Sequence, residues 1–176
     1  MNEEKKIENI CLLKEQNINE NIYLKKAKKN NFSFCYKIMK SSMNDYAIKH
    51  WKKWPKEYSE KEFIKSLKKT YPLLIMENNK KIGFLNVYIH QPTERIILQS
   101  IYLISEKQNQ KIGTIILELI CKSADKKQLP IDLSYFYDNP AKKLYHKFNF
   151  NYYGSGEQHE FVRRKPILNN KLKLKP

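Results

Sequence analysis

At 176 residues, with 41% apolar and 12% aromatic content, the chain is long enough to bury one core without disulfides, and its composition excludes general disorder. The formal charge of +16 comes from 34 basic against 18 acidic residues, but the lysines are scattered along the whole chain, so nucleic acid is not the expected partner. Cys11, Cys35 and Cys121 stand at unrelated spacings and no Cys or His cluster has ligand spacing, which excludes a disulfide framework and a metal site from expectation.

Residues 1–20 are charged, with a weak helical stripe at Ile7, Ile10, Leu12 and Leu13, and are expected to form an N-terminal arm, partly disordered. Asn21 to Lys26 predicts the first strand. Asn30 or Asn31 caps a helix running to about Lys40, and Met43 to Trp51 predicts a second, short one. Ser59 and Glu62 form a capping-box pattern ahead of Phe63, Ile64 and Leu67. Tyr71 to Glu77 and Lys81 to His90 predict two strands joined at Asn78 and Asn79, a suitable hairpin turn.

The strand from Thr93 to Ile104 is β-branched, aromatic or long apolar over most of its length. Ser105 to Lys111 is wholly polar, and Ile112, Ile115, Ile116, Leu119, Ile120 and Ala124 then line one face of a helix that starts near Gln110. A helix N-terminus leaves about four backbone N–H groups unpaired and carries partial positive charge, so it suits a phosphate. Gly113 in its first turn admits close approach, and Lys111 and Thr114 add a cation and a hydroxyl.

Pro130 opens a strand from Ile131 to Tyr137, and Asp138, Asn139 and Pro140 turn into a helix with Asn139 as N-cap and Leu144, Tyr145 and Phe148 as its apolar stripe. Gly154 and Gly156 precede a last strand, Gln158 to Arg163. Residues 21–165 thus form one expected domain, and 166–176 a basic tail.

The segments Gln108 to Gly113 and Asn139 to Phe150 resemble the two cofactor motifs of the GCN5-related N-acetyltransferases, the GNAT family. The family's acetyl-CoA signature (Gln or Arg, two residues, Gly, one residue, Gly or Ala) is similar to Gln108, Asn109, Gln110, Lys111, Ile112 and Gly113. Its Asn-Pro-Ala, Leu-Tyr and Gly-Phe elements resemble Asn139, Pro140, Ala141, Leu144, Tyr145, Asn149 and Phe150. Lys111 and Asn149 stand where the family has glycine, and Asp138 stands where many members have the asparagine that contacts pantetheine. YAIKHWKKWPKEY and GSGEQHEFVRR are similar to a bacterial GNAT subgroup of unassigned acceptor.

The resemblance implies an α/β fold with a mixed, mostly antiparallel central sheet flanked by helices and splayed between the strands ending near Leu103 and Tyr137 to hold acetyl-CoA. It implies an acetyl-CoA-dependent N-acetyltransferase acting on a small amine or a protein amino group. Gln108, Asn109, Gln110, Lys111, Ile112, Gly113 and Thr114 would hold the pyrophosphate, Leu103 the pantetheine arm and the thioester carbonyl, and Asn139 the pantetheine. Tyr145 would protonate the departing thiolate.

Gln99, Ser100, Ile101 and Tyr102 offer none of the carboxylates that many members use as base, which leaves a water chain, His159 or Glu157. Trp51 and Trp54, with Tyr46 and His50, are candidate walls of the acceptor site together with His159. An aromatic wall favours an apolar or cationic amine, whereas Lys52, Lys53 and Lys56 favour an acceptor bearing carboxylate or phosphate.

Two other functions fit the same residues. A catalytically weak CoA-binding domain accommodates Lys111 and the absent carboxylate, and a module binding nucleic acid or an acidic partner accommodates the charge. No run approaches the roughly 18 apolar residues of a membrane span, and the N-terminus lacks a signal peptide's apolar core, so the cytoplasm is the expected location. A strand edge near the C-terminus is open to homodimer pairing.

Overall fold

Alternating and continuous apolar runs build nine strands and four α-helices in residues 9–168, the part of the chain that the computed structural model describes. In chain order they are β1 (Asn9–Cys11), β2 (Gln16–Asn17), β3 (Ile22–Lys26), α1 (Phe32–Trp51), α2 (Glu60–Leu67), β4 (Leu73–Glu77), β5 (Lys80–His90), β6 (Arg95–Leu103), α3 (Ile112–Lys127), β7 (Ile131–Phe136), α4 (Lys142–Lys147), β8 (Asn151–Ser155) and β9 (His159–Arg164). The sheet runs β2-β3-β4-β5-β6-β7-β9-β8, and β1 lies along β5 beyond the reach of β4. Every pairing is antiparallel except β6 with β7.

That parallel pairing is the feature that makes a site. Only Ile96 with Ile131 and Ile97 with Asp132 are partnered, although β6 continues to Leu103 and β7 to Phe136. Beyond Ile97 the sheet therefore splits. On one face α3 buries Ile112, Ile116, Leu117 and Ile120 against Leu85, Ile96 and Ile131. On the other, α1 and α2 bury Cys35, Met39 and Leu67 against Leu74, Phe84 and Phe136. Fully burying one such aliphatic side chain contributes about 1.5–3 kcal/mol, so both faces of the sheet are held.

Several local expectations are corrected. Of the N-terminal arm, Asn9–Cys11 and Gln16–Asn17 are strands of the sheet, the former instead of part of a helical stripe, and Leu12 and Leu13 are buried; residues 1–8 lie outside the described residues. The two short helices after Asn31 are one, α1, because Lys40, Ser41 and Ser42 break the apolar pattern without breaking the backbone. Helix α3 begins at Ile112, with Lys111 as its N-cap. Asn139 is not an N-cap: its Oδ1 accepts from Ala141 N–H at 2.9 Å, and Ala141 caps α4. Ser59 caps α2 by position, without a side-chain bond. Strand β8 was not predicted, and β9 starts and ends one residue later than expected. Of the tail, 169–176 lie outside the described residues.

The hairpin at Asn78 and Asn79 forms with φ of 47° and 64°, the left-handed pair that such a turn needs. Arg164, 4% exposed, ties β9 to α3 through two bonds to Asp125 at 2.7 and 2.8 Å. Cys35 and Cys121 are buried, and burial pushes their thiols up to about 12 and about 11.

Candidate active site

The split opens a cleft of about 1280 Å³ lined by β6, the turn into α3, β7, α4 and one side of α1 and α2. At its inner edge Leu103 pairs with Gly83, and Ile104 N–H donates to Ile82 O at 2.9 Å. That bond makes Leu103 and Gly83 a non-hydrogen-bonded pair, so the N–H and C=O of Leu103 point away from β5 and into the split. The glycine is required here, since a Cβ on Gly83 would sit 2.3 Å from the carbonyl oxygen of Tyr102.

The turn after β6 holds its own shape with side-chain amides. Gln108 Nε2 donates to Leu103 O at 3.0 Å, and Gln110 Nε2 to Glu106 O at 2.7 Å. Asn109 and Lys111 take left-handed φ values of 59° and 62°. Lys111 thus adopts the backbone that a glycine takes more easily, at a cost of roughly 1–2 kcal/mol. Among the described residues no group accepts from the backbone N–H of Asn109, Gln110, Lys111, Ile112, Gly113 or Thr114. Nothing lies within 4 Å of a Cβ built on Gly113. Six consecutive unpaired amides at the positive end of α3, beside open space, form a cradle for an anion. The glycine-to-lysine change at 111 leaves this cradle in place.

The opposite wall carries Tyr145. Its ring stacks on Tyr135 at 5.5 Å and meets Phe150 edge-on at 5.9 Å. Asn149 supplies the left-handed residue, φ 63°, that brings Phe150 back under α4. Tyr145 Oη has no hydrogen-bond partner among the described residues, and burial pushes its phenol up to about 12. Asn139 also lines the cleft, with its Oδ1 engaged by Ala141.

On the α1 side, His159 lies on Phe136 with ring centroids 4.1 Å apart, and Tyr46 and His50 stack on the same phenyl at 5.1 and 5.2 Å. Burial, and then the nearby His50, hold His159 below the ordinary imidazole value, so it is neutral at pH 7. Trp51 and Trp54 are not among the residues lining the cleft. Trp51 packs on Tyr58 and Phe136, and Trp54 donates from Nε1 to Tyr58 O at 2.8 Å; both stand behind Tyr58, which does line it. Nor do Lys52, Lys53 and Lys56 face the cleft, whereas Asp45, Glu57 and Glu62 do.

Asn86 was missed from sequence. It lies on β5 between Leu85 and Val87, is 1% exposed and lines the cleft. The only signal was an amide inside the apolar run from Phe84 to Ile89. Among the described residues no three His, Cys, Asp or Glu side chains gather as a metal site, and no helix is long and apolar enough to cross a membrane.

The cradle fits a ligand with a pyrophosphate and an extended arm: unpaired amides for the phosphates, and the N–H of Leu103, whose carbonyl is taken by Gln108, for the arm. The model of the acetyltransferase (GNAT) family matches residues 36–150. A search of the curated proteins found no match. An acetyltransferase from Thermus thermophilus has a similar structure (TM-score 0.65, 15% identity, 82% of this chain and 97% of that one). So has a PaiA N-acetyltransferase from Thermoplasma acidophilum solved with coenzyme A (TM-score 0.60, 18% identity, 82% and 98%). A third is an acetyltransferase from Salmonella typhimurium that modifies the N-terminal serine of a 50S ribosomal subunit protein (TM-score 0.65, 14% identity, 88% and 100%). At these identities the likeness is one of fold.

Proposed function

The chain belongs to the GNAT acetyltransferase family, with acetyl-CoA as its cofactor, and from that premise we propose that it acetylates a small amine or a protein amino group by direct attack on the thioester. The observation that carries the proposal is the row of unpaired amides from Asn109 to Thr114 at the mouth of the split. These amides, with the ammonium of Lys111, bind the pyrophosphate, and Gln108 braces the turn through Leu103 O. Asn139 and the backbone edge of Leu103 hold the pantetheine arm.

Acetyl-CoA supplies the acetyl group as a thioester, already activated toward an amine. Leu103 N–H donates toward the thioester carbonyl oxygen, where negative charge grows during attack. His159, neutral and lining the cleft, accepts the proton that the amine loses. Tyr145 holds a proton at Oη for the departing sulfur. The same burial that keeps its phenol protonated also raises the proton affinity of a thiolate leaving beside it. Trp51 and Trp54 serve the acceptor site by bracing Tyr58.

The buried free thiols suit a reducing compartment, the cytoplasm. The outer edge of β8 is open to a second copy of the chain. The test is thiol release from acetyl-CoA in the presence and absence of an amine panel, with mass analysis of each amine. Amine-dependent thiol release matched by an acetylated amine is expected; CoA binding without transfer to any amine would overturn the catalytic assignment.

A further inference from the structure

Buried polar atoms in proteins are almost always paired, and the floor of this cleft holds an exception. Asn86 Nδ2 donates to Gln99 Oε1 at 2.9 Å, while its Oδ1 is buried without a partner. The arrangement follows from the backbone. Asn86 pairs with Ser100 and Val87 with Leu98, so a bulge leaves Gln99 without a partner residue on β5, and the side chains of both amides line the cleft. An unpaired carbonyl oxygen calls for a donor from a ligand. A primary amine meets that need, because its N–H groups can engage the oxygen while its lone pair faces the thioester.

The rim narrows the ligand further. From α1, α2 and the segment between them, Asp45, Glu57 and Glu62 face the cleft against one ammonium, Lys37. Glu62 shares its charge with Lys65 at 3.6 Å, but Asp45 and Glu57 have no ion-pair partner among the described residues. In a chain of net charge +16 this wall is locally negative. Tyr46 and Tyr58 line the same wall, and aromatic rings also favour a cation.

Building on the acetyl-transfer reading, we propose that the acceptor is a small aliphatic amine carrying a second positive charge. Its reacting nitrogen is held by Asn86 Oδ1, and its distal ammonium faces Asp45 and Glu57. Asn86 is a positioning and specificity residue for the amine, on β5 beside the stretch of β6 that lacks a carboxylate.

Diaminobutane, butylamine and aminobutyrate have the same chain length and differ in the charge of the tail, so their kcat/KM values with saturating acetyl-CoA test the inference. Diaminobutane is expected to exceed butylamine by at least about tenfold, with aminobutyrate slowest. The pair of changes Asp45→Asn and Glu57→Gln is expected to bring the diaminobutane to butylamine ratio toward one. Asn86→Leu is expected to raise the amine KM at least tenfold with CoA affinity retained, and Asn86→Asp, which keeps an acceptor atom, to restore most of it. Equal or reversed preference among the three amines, or an Asn86→Asp enzyme as impaired as Asn86→Leu, overturns the inference. CoA binding with transfer to other amines but none of these three overturns it while acetyl transfer stands. Absence of CoA binding removes both.

Discussion

A tryptophan at position 113 separates the fold from the site. Gly113 is the second residue of α3, and no neighbouring atom lies within 4 Å of a Cβ placed there. The indole therefore enters open space, and the gain in helix propensity over glycine is only a few tenths of a kcal/mol. For a chain of this size the Tm of Gly113→Trp should stay within about 2 °C of wild type.

The same open space is where the cofactor's phosphates meet the amides of 109–114. Hydrogen bonds to charged groups are worth about 1.5–3 kcal/mol each, so losing two costs roughly 3–6 kcal/mol, more than a hundredfold in Kd. The assay is thermal unfolding with and without CoA. At a ligand concentration near a hundred times Kd the wild type gains about 2.7 kcal/mol, which is about 5–11 °C, and the variant should gain none. A Gly113→Trp protein that unfolds early without ligand, or that keeps the CoA shift, would refute the reasoning.

Other positions give independent checks. Gly83→Ala should unfold several degrees early, because its Cβ must displace the Tyr102 carbonyl from 2.3 Å; an unchanged Tm would mean that β5 and β6 are less closely apposed. Tyr145→Phe should lower kcat at least about tenfold with little change in CoA Kd, and unchanged turnover removes Tyr145 from the mechanism. Because burial holds His159 below its ordinary 6.5, the acid limb of kcat/KM should fall below pH 6.5, where the neutral base is finally lost, and His159→Gln should abolish that limb. Burial alone would raise Asp125, but the Arg164 hydrogen bonds outweigh it and its pKa is lowered. Its contribution to stability is therefore present above the ordinary carboxylate range and lost as pH falls through the lowered value. Asp125→Ala should cost about 3 kcal/mol at neutral pH in urea unfolding, since it leaves Arg164 buried and unpaired.

Much of the run from Ile96 through Phe150 was legible because its devices are local, although the cap expected at Asn139 falls at Ala141. A continuous apolar strand, a polar turn and an amphipathic helix fix where amides are left unpaired, and Asn149 could be foreseen as a left-handed residue from its chemistry. The hairpin at Asn78 and Asn79 was legible for the same reason. Strands β1 and β2 were not, because three and two residues carry no alternation and exist only through their partners β5 and β3. Tyr152 and Tyr153 of β8 are both exposed, so its sequence shows no buried face. The acceptor wall was least legible. Tyr46, Glu57, Asn86 and His159 come from four separate elements, and only the packing of α1 and β9 around Phe136 distinguishes residues facing the cleft from Trp51 and Trp54 behind it.

Amide hydrogen exchange with and without saturating CoA reads the six amides between Asn109 and Thr114 directly. They are expected to exchange freely alone and to become protected with CoA, together with the N–H of Leu103. CoA that leaves these amides unchanged, whether it binds elsewhere or not at all, would contradict the assignment of the split as the acetyl-CoA site.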